Sequence, residues 1–241
     1  MKVLFPLLAF YPSQVGGPAN TIYWLTNELN KKEINTTIVS TSIGIKSEIQ
    51  KNKFITQDNR KIFYGSRNQY SFRTLFTAIS QIKKNDVIHI NGLFEFIAII
   101  VFFWTKIFHP SKLIVISPRG GLNHSALSYS SFKKKIIIFL YRFFLKNDLI
   151  HATSDSEIKD IERQFNSKNI FLLPNFISPE KKINNIKIKK QLLFLGRIHP
   201  IKALDNLINA ISLSDFFISK GYKLKVVGAY EDRFISYYDS L

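Results

Sequence analysis

The stretch Leu193-Phe194-Leu195-Gly196-Arg197-Ile198-His199-Pro200-Ile201-Lys202 sets two cations where an apolar strand hands over to a helix. That combination suits a diphosphate. A helix N-terminus presents unpaired N–H groups and a partial positive charge, Arg197 can fork onto two phosphate oxygens, and Lys202 adds a mobile point charge. Gly196, Arg197 and Lys202 are therefore candidate diphosphate-binding residues. Only about 40 residues follow Lys202, too few to complete a second nucleotide-binding domain of ordinary size.

Three further segments end apolar strands in residues able to do chemistry. Tyr11-Pro12-Ser13-Gln14-Val15-Gly16-Gly17-Pro18 follows the first strand and opens the first helix. Gly16 and Gly17 would let a sugar or phosphate approach the backbone, or merely turn the chain. The pair is not the Gly-x-Gly-x-x-Gly of a dinucleotide site. His89-Ile90-Asn91-Gly92 closes another strand. There His89 could carry a proton or donate a hydrogen bond, or be a satisfied core residue, while Asn91 offers a donor and an acceptor to sugar hydroxyls. In Ser117-Pro118-Arg119-Gly120-Gly121, Arg119 could bind a phosphate or an acceptor carboxylate. His124 reads as surface. In His151-Ala152-Thr153-Ser154-Asp155-Ser156-Glu157, Ser154 or Asp155 reads as a helix N-cap.

These residues need a scaffold that gathers strand ends. Apolar runs of strand length alternate with helical periods, the pattern of a parallel sheet covered by helices on both faces. Strands are expected near Val3–Phe10, Thr37–Thr41, Val87–Asn91, Leu113–Ser117, Leu149–Thr153 and Ile170–Leu173. Helices are expected over Pro18–Asn30, Phe94–Phe108, Phe132–Lys146 and Asp155–Phe165. Pro18 would open the first helix with its pre-set φ. The run Lys133 to Lys146 is basic at both ends and apolar on nearly every side between. That favours burial in the core with snorkelling lysines, and contact with an anionic membrane is the secondary reading. Residues 1–177 thus form one Rossmann-like domain, the polar stretch 178–190 a linker, and residues 191–241 an incomplete second domain. The latter holds one βαβ unit, Leu192–Leu195, Ala203–Leu213 and Leu224–Val227, marginal in stability by itself.

Composition bounds the partners. The chain has 241 residues, 46% of them hydrophobic, and a net charge of +17 from 34 Lys+Arg against 17 Asp+Glu. That balance favours anionic partners, although a coding sequence rich in Lys, Asn and Ile codons would produce it without selection for binding. With no cysteine there is no thiolate metal site, thiol nucleophile or disulfide, which suits a reducing cytoplasm. The N-terminus reads as a strand and lacks the pattern of a signal peptide. The most apolar run, Phe96 to Phe108, is shorter than a membrane span. No Cys/His finger or aromatic RNA-binding strand supports nucleic-acid binding.

Taken together, the segments resemble glycosyltransferase family 4, whose GT-B fold sets two Rossmann-like domains face to face. Gly16-Gly17 resembles the glycine-rich first loop of that family, and His89-Ile90-Asn91-Gly92 its His-x-His segment with Asn91 in place of the second His. Ser117-Pro118-Arg119-Gly120 is similar to a segment of capsule and lipopolysaccharide sugar transferases, and Leu173-Pro174-Asn175-Phe176 to the Pro-Asn-Gly that precedes the interdomain linker. Phe194-Leu195-Gly196-Arg197 with Lys202 resembles the donor-diphosphate motif, except that Ala203 stands where Gly is common.

The resemblance implies a retaining, metal-independent transfer of a sugar from a nucleotide diphosphate donor to a glycan or lipid-linked acceptor. The expected location is the cytoplasm, with peripheral contact at the inner face of the cytoplasmic membrane as a further expectation. It makes His89, Asn91, Arg197 and Lys202 the catalytic candidates. Gly16, Gly17 and Gly196 join Arg197 and Lys202 in donor binding, and Arg119 and Asn175 face the acceptor. The Glu-x7-Glu carboxylates that hold the donor sugar and ribose in the family have no counterpart after Lys202, where Glu231 is the only Glu. A truncated or gene-split transferase is the leading expectation. A non-catalytic acceptor- or membrane-binding subunit, completed by a partner chain, is the alternative.

Overall fold

The computed structural model describes the chain except residues 14, 46–47, 129–130, 146–147, 178–189 and 231–233, with Gly16 and Ser131 described by backbone alone. The expected linker 178–190 therefore lies almost wholly outside the described residues, as do Lys146 and Glu231. The chain divides into two units, Met1–Ser178 and Pro179–Leu241.

In the first unit the elements run β1 (Lys2–Leu7), α1 (Gly16–Lys31), β2 (Asn35–Ser40), β3 (Phe54–Gln57), β4 (Arg60–Tyr64), α2 (Phe72–Ile82), β5 (Val87–Asn91), α3 (Phe96–Phe108), β6 (Leu113–Ser117), α4 (His124–Ser128), α5 (Ser131–Phe144), β7 (Leu149–Ala152), α6 (Asp155–Phe165) and β8 (Ile170–Leu172). The strands form one eight-stranded sheet in the order β3-β4-β2-β1-β5-β6-β7-β8, parallel except for the edge strand β3. Strand order reverses at β1, which pairs with β2 on one side and β5 on the other. In open parallel sheets this is where a crevice forms outside the carboxyl ends of the strands.

Alternating strand residues feed two cores. Leu4, Ile88, Ile90, Ile114, Ile116 and Ile150 pack beneath α2, α3, α5 and α6. Val3, Phe5, Ile38 and Ile62 point the other way, against Ile22, Leu25 and Leu29 of α1. Helix α1 starts at Gly16, two residues before Pro18, with Val15 at the N-cap and no side chain capping it. Its first N–H groups are thus left to solvent or a ligand.

The core assignment of α5 is corrected. One face of the helix is inside, with Ile138 and Tyr141 buried, but Phe132, Ile136, Phe139, Leu140 and Phe143 are exposed. An apolar pattern on all sides does not say which side is covered; α5 packs on α6 and α4 and, through Tyr141 and Phe144, on Phe102 and Phe103 of α3.

The second unit contains β9 (Gln191–Leu195), a 3-10 turn (Pro200–Lys202), α7 (Leu204–Ser212), α8 (Asp215–Ser219), β10 (Lys223–Val227) and α9 (Ile235–Asp239). Its two strands pair in parallel over five residue pairs. Leu193 is 56% and Leu195 75% exposed, so this small sheet lacks the cover a stable core needs.

Candidate functional site

The site of the first unit forms where β5, β6 and β7 end. Strand β6 leaves the sheet at Ser117, and Arg119 and Gly120 both turn through positive φ, +55° and +74°. This reversal costs a non-glycine residue about 1 kcal/mol or more, and it returns the Arg119 side chain over the strand ends. There Arg119 Nε and Nη2 donate to Asn91 Oδ1 at 3.3 and 3.1 Å, and Nη1 donates to Asn175 Oδ1 at 2.6 Å. Both acceptors are neutral, so the guanidinium is oriented but keeps its charge. Of its five N–H donors, two have no protein acceptor among the described residues. Burial pulls the Arg119 pKa down to about 10, against the attraction of Glu157.

Arg119 shares a cavity of about 270 Å³ with Gly17, Pro18, Thr21, Gly120, Thr153 and Asn175. The open first turn of α1 forms one side, and a β-carbon on Gly17 would meet nothing within 4 Å. Glu157 fixes the opposite rim, its Oε1 accepting from Gly120 N at 2.6 Å and its Oε2 from Thr153 N and Oγ1 at 2.7 and 2.6 Å. Ser154 caps α6 by accepting from Glu157 N, as expected. The Glu157 side chain, three residues on, could have closed a capping box but reaches across to the β6 loop instead.

Beneath this cavity a line of hydrogen bonds crosses the sheet on the α1 side. His89 Nε2 and Ser117 Oγ are 2.8 Å apart, Ser117 Oγ and His151 Nδ1 2.8 Å, and His151 Nε2 and Leu173 O 2.8 Å. The last partner sets the direction of all three. Leu173 O can only accept, so His151 Nε2 carries the proton and Nδ1 accepts from the Ser117 hydroxyl, which in turn accepts from His89 Nε2–H. Burial, then the Arg119 charge and then His151, hold the His89 pKa well below its ordinary value. Burial is also the first cause lowering His151. Both imidazoles are neutral near pH 7. An apolar groove of about 270 Å³, lined by Leu25, Leu29, Val115 and Phe171 among others, runs beside the two rings.

The second unit builds its loop separately. Gly196 N donates to Val227 O at 3.0 Å, holding the end of β9 beside β10. His199 Nδ1 accepts from Ile201 N at 3.1 Å and its ring lies 4.2 Å from that of Phe234. The intervening turn ends at Lys202, and Ala203 takes φ +50° before α7 begins. This left-handed residue is where the family commonly has Gly, which adopts such a φ without strain. At the start of α7 the Tyr237 hydroxyl donates to Asp205 Oδ1 at 2.7 Å, which lowers the pKa of that carboxyl.

The structure thus brings Gly17, Arg119 and Asn175 to one cavity, with Asn91 behind Arg119 and His89 one layer below. Gly16 is in the first turn of α1. Gly196, Arg197 and Lys202 belong to the other unit. Thr21, Thr153, Glu157, Ser117 and His151 also build the site. Of these, Ser117, His151, Thr153 and Glu157 sit in segments whose residue types are suggestive, but the partners that Ser117, His151 and Glu157 find across the sheet lie 22 or more residues away, beyond any local pattern. Among the described residues no group of three or more His, Asp or Glu side chains could hold a metal ion.

The sequence matches the model of Glycosyltransferase Family 4 over residues 15–181. The chain belongs to that family. The structural neighbours are glycosyltransferases of GT-B fold, and the likeness shows that fold. The catalytic domain of starch synthase IV from Arabidopsis thaliana, bound to ADP and acarbose, superposes with a TM-score of 0.64 at 12% identity, covering 99% of this chain and 70% of that one. An alpha-glucosyltransferase in complex with UDP and a 13-mer DNA gives a TM-score of 0.62 at 12% identity, over 100% of this chain and 59% of that one. A protein of the cps region of Klebsiella pneumoniae is 28% identical over 178 residues, 67% of this chain. The chain spans 49% of that relative.

Proposed function

We propose that the chain supplies the acceptor-side domain and the opening of the donor-side domain of a retaining glycosyltransferase. In this reading a nucleotide diphosphate sugar gives its sugar to a glycan or lipid-linked acceptor during assembly of a capsule or related surface polysaccharide in the cytoplasm. The observation that carries it is Arg119, held by Asn91 and Asn175 with two N–H donors left over, in a cavity that also receives the uncapped N-terminus of α1. That is a site for an oxyanion of phosphate or carboxylate type. The family match supports sugar transfer, and the cps-region relative supports the capsule.

Within this mechanism Arg197 and Lys202 hold the diphosphate and stabilise the charge that grows on it as the sugar leaves. These fixed cations take the part a metal takes elsewhere, so the reaction runs without one. Gly16, Gly17 and Gly196 keep side chains out of the donor's way, and Asn91 and Asn175 position Arg119 toward the acceptor. His89, neutral and buried, donates its Nε2 proton to Ser117 and holds the floor of the site. The deciding experiment is calorimetric titration of the chain with UDP and GDP, alongside a transfer assay over a panel of nucleotide sugars. Specific nucleotide binding, lost in Arg197→Ala with the fold intact, is expected; wild-type binding in that variant overturns the diphosphate assignment.

A further inference from the structure

We infer that α5 is a docking helix for an anionic lipid bilayer. At about 100° per residue, the exposed residues Phe132, Ile136, Phe139, Leu140 and Phe143 fall within about 100° of arc on the helix, one continuous stripe. The three phenylalanines are 76%, 67% and 72% exposed. Lys133 borders the stripe on one side and Lys135 on the other, both exposed. The opposite arc is spent on the core, where Ile138 and Tyr141 are buried and Phe102 stacks 4.5 Å from the Tyr141 ring. Lys134, on that inner side, turns back to donate to Ala126 O and lies over the ring of Phe94. The helix is thus fixed to the sheet by one face and free on the other.

An outward stripe of aromatic side chains with a lysine on either side of it matches the boundary of a bilayer, rings at the acyl edge and ammonium groups among phosphates. The same helical layer adds Phe72 and Phe76 of α2, both exposed and with ring centroids 6.4 Å apart. Among the described residues no helix is long and apolar enough to cross a membrane, so the contact is at the surface. A second copy of the chain fits the face less well. A two-fold contact centred on this stripe would bring the Lys133 and Lys135 end of one copy against the Arg142 end of the other, and like charges across an interface cost affinity. The net charge of +17 acts in the same sense, toward an anionic surface. The proposal is independent of sugar transfer, and its test needs no substrate.

The chain is mixed with phosphatidylcholine vesicles, with and without about one-third phosphatidylglycerol, and separated by flotation. It is expected to float with the anionic vesicles, and to lose partition about tenfold or more in F132S/F139S/F143S. These side chains are exposed, so an unchanged circular dichroism spectrum accompanies the loss. K133E/K135E weakens binding to the anionic vesicles selectively. Phe139→Trp gives a gain of signal, with its indole fluorescence quenched by brominated acyl chains. Absence of flotation, partition unchanged in the triple variant, or indole fluorescence in the Phe139→Trp variant that brominated lipid leaves unquenched overturns the proposal. So does a wild-type dimer in sedimentation that the triple variant abolishes, since a second copy would then be what covers α5.

Discussion

Arg119 and Asn175, 56 residues apart in the chain, are joined by a 2.6 Å hydrogen bond that ties the β6 loop to the segment after β8. Asn91 accepts from the same guanidinium on its other edge. Two neutral side chains therefore aim one cation. Arg119→Lys keeps the charge but loses the fork, and is expected to lower transfer in a complete enzyme at least about tenfold. Asn175→Ala leaves a surface side chain out and should change stability by less than about 0.5 kcal/mol, while raising KM for the acceptor. Steady-state kinetics and urea midpoints of the two variants check both statements.

The strand ends that form this site are legible in the sequence because they are punctuated. β5, β6 and α6 fall where expected, Val87–Asn91, Leu113–Ser117 and Asp155–Phe165, each ending or starting at a residue of strong local preference. The β3-β4 hairpin is not legible in the same way. Its turn, Asp58-Asn59, has φ of +46° and +60° and is of a type that suits a two-residue hairpin, but Arg60 hides the strand that follows. Arg60 is fully buried, paired to Asp58 at 2.5 Å with its guanidinium 4.5 Å from the Tyr23 ring, a placement only the tertiary fold explains. Helix α2 is hidden for the opposite reason, since exposed Phe72 and Phe76 blur the face made by Leu75, Ala78 and Ile82. By its type Asn91 could serve a sugar; in the structure its carboxamide oxygen serves Arg119, a partnership no spacing rule reveals.

The buried imidazoles make the first unit acid-sensitive. His89 and His151 have folded-state pKa values below the ordinary one, so the unfolded chain binds more protons in the interval between. Stability is then fully present above about pH 6.5 and is lost as pH falls below it, by at most about 1.4 kcal/mol per pH unit for each histidine. Urea midpoints at mildly acidic and neutral pH should diverge accordingly, and by less in His89→Gln. Ser117→Ala removes the hydroxyl between the two rings and is expected to cost about 1–3 kcal/mol at neutral pH.

Two glycines of the second unit should behave oppositely. A β-carbon on Gly228 would lie 1.7 Å from the Gly196 carbonyl oxygen, so Gly228→Ala must push β9 and β10 apart. Its cost is expected to exceed about 2 kcal/mol, read as loss of amide protection in both strands. On Gly196 the added carbon meets only the Phe194 ring, at 3.8 Å, an ordinary contact. Gly196→Ala should keep those amides protected, and any loss of nucleotide affinity in it then reports how closely the ligand approaches the backbone.

Ala203 holds a conformation that glycine takes freely. Ala203→Gly should relieve about 1 kcal/mol of backbone strain at the start of α7. Hydrogen exchange of the α7 amides is expected to slow about fivefold; faster exchange would mean that the loss of Ala's lower unfolded-chain entropy outweighs the relief.

Strands β6 and β7 share only two paired positions, Val115 with Leu149 and Ile116 with Ile150. Ser117 and His151 stand one step further along each strand, and their hydrogen bond continues the alignment in side chains. Sliding β7 by one residue would turn Ile150 and Ala152 toward α1 and carry His151 into the layer beneath α5 and α6. The displaced imidazole would lose its bonds to Ser117 and Leu173, and the Ser117 hydroxyl would lose its acceptor. The line from His89 to Leu173 therefore rejects a misaligned sheet, making a short and otherwise permissive strand pairing unique.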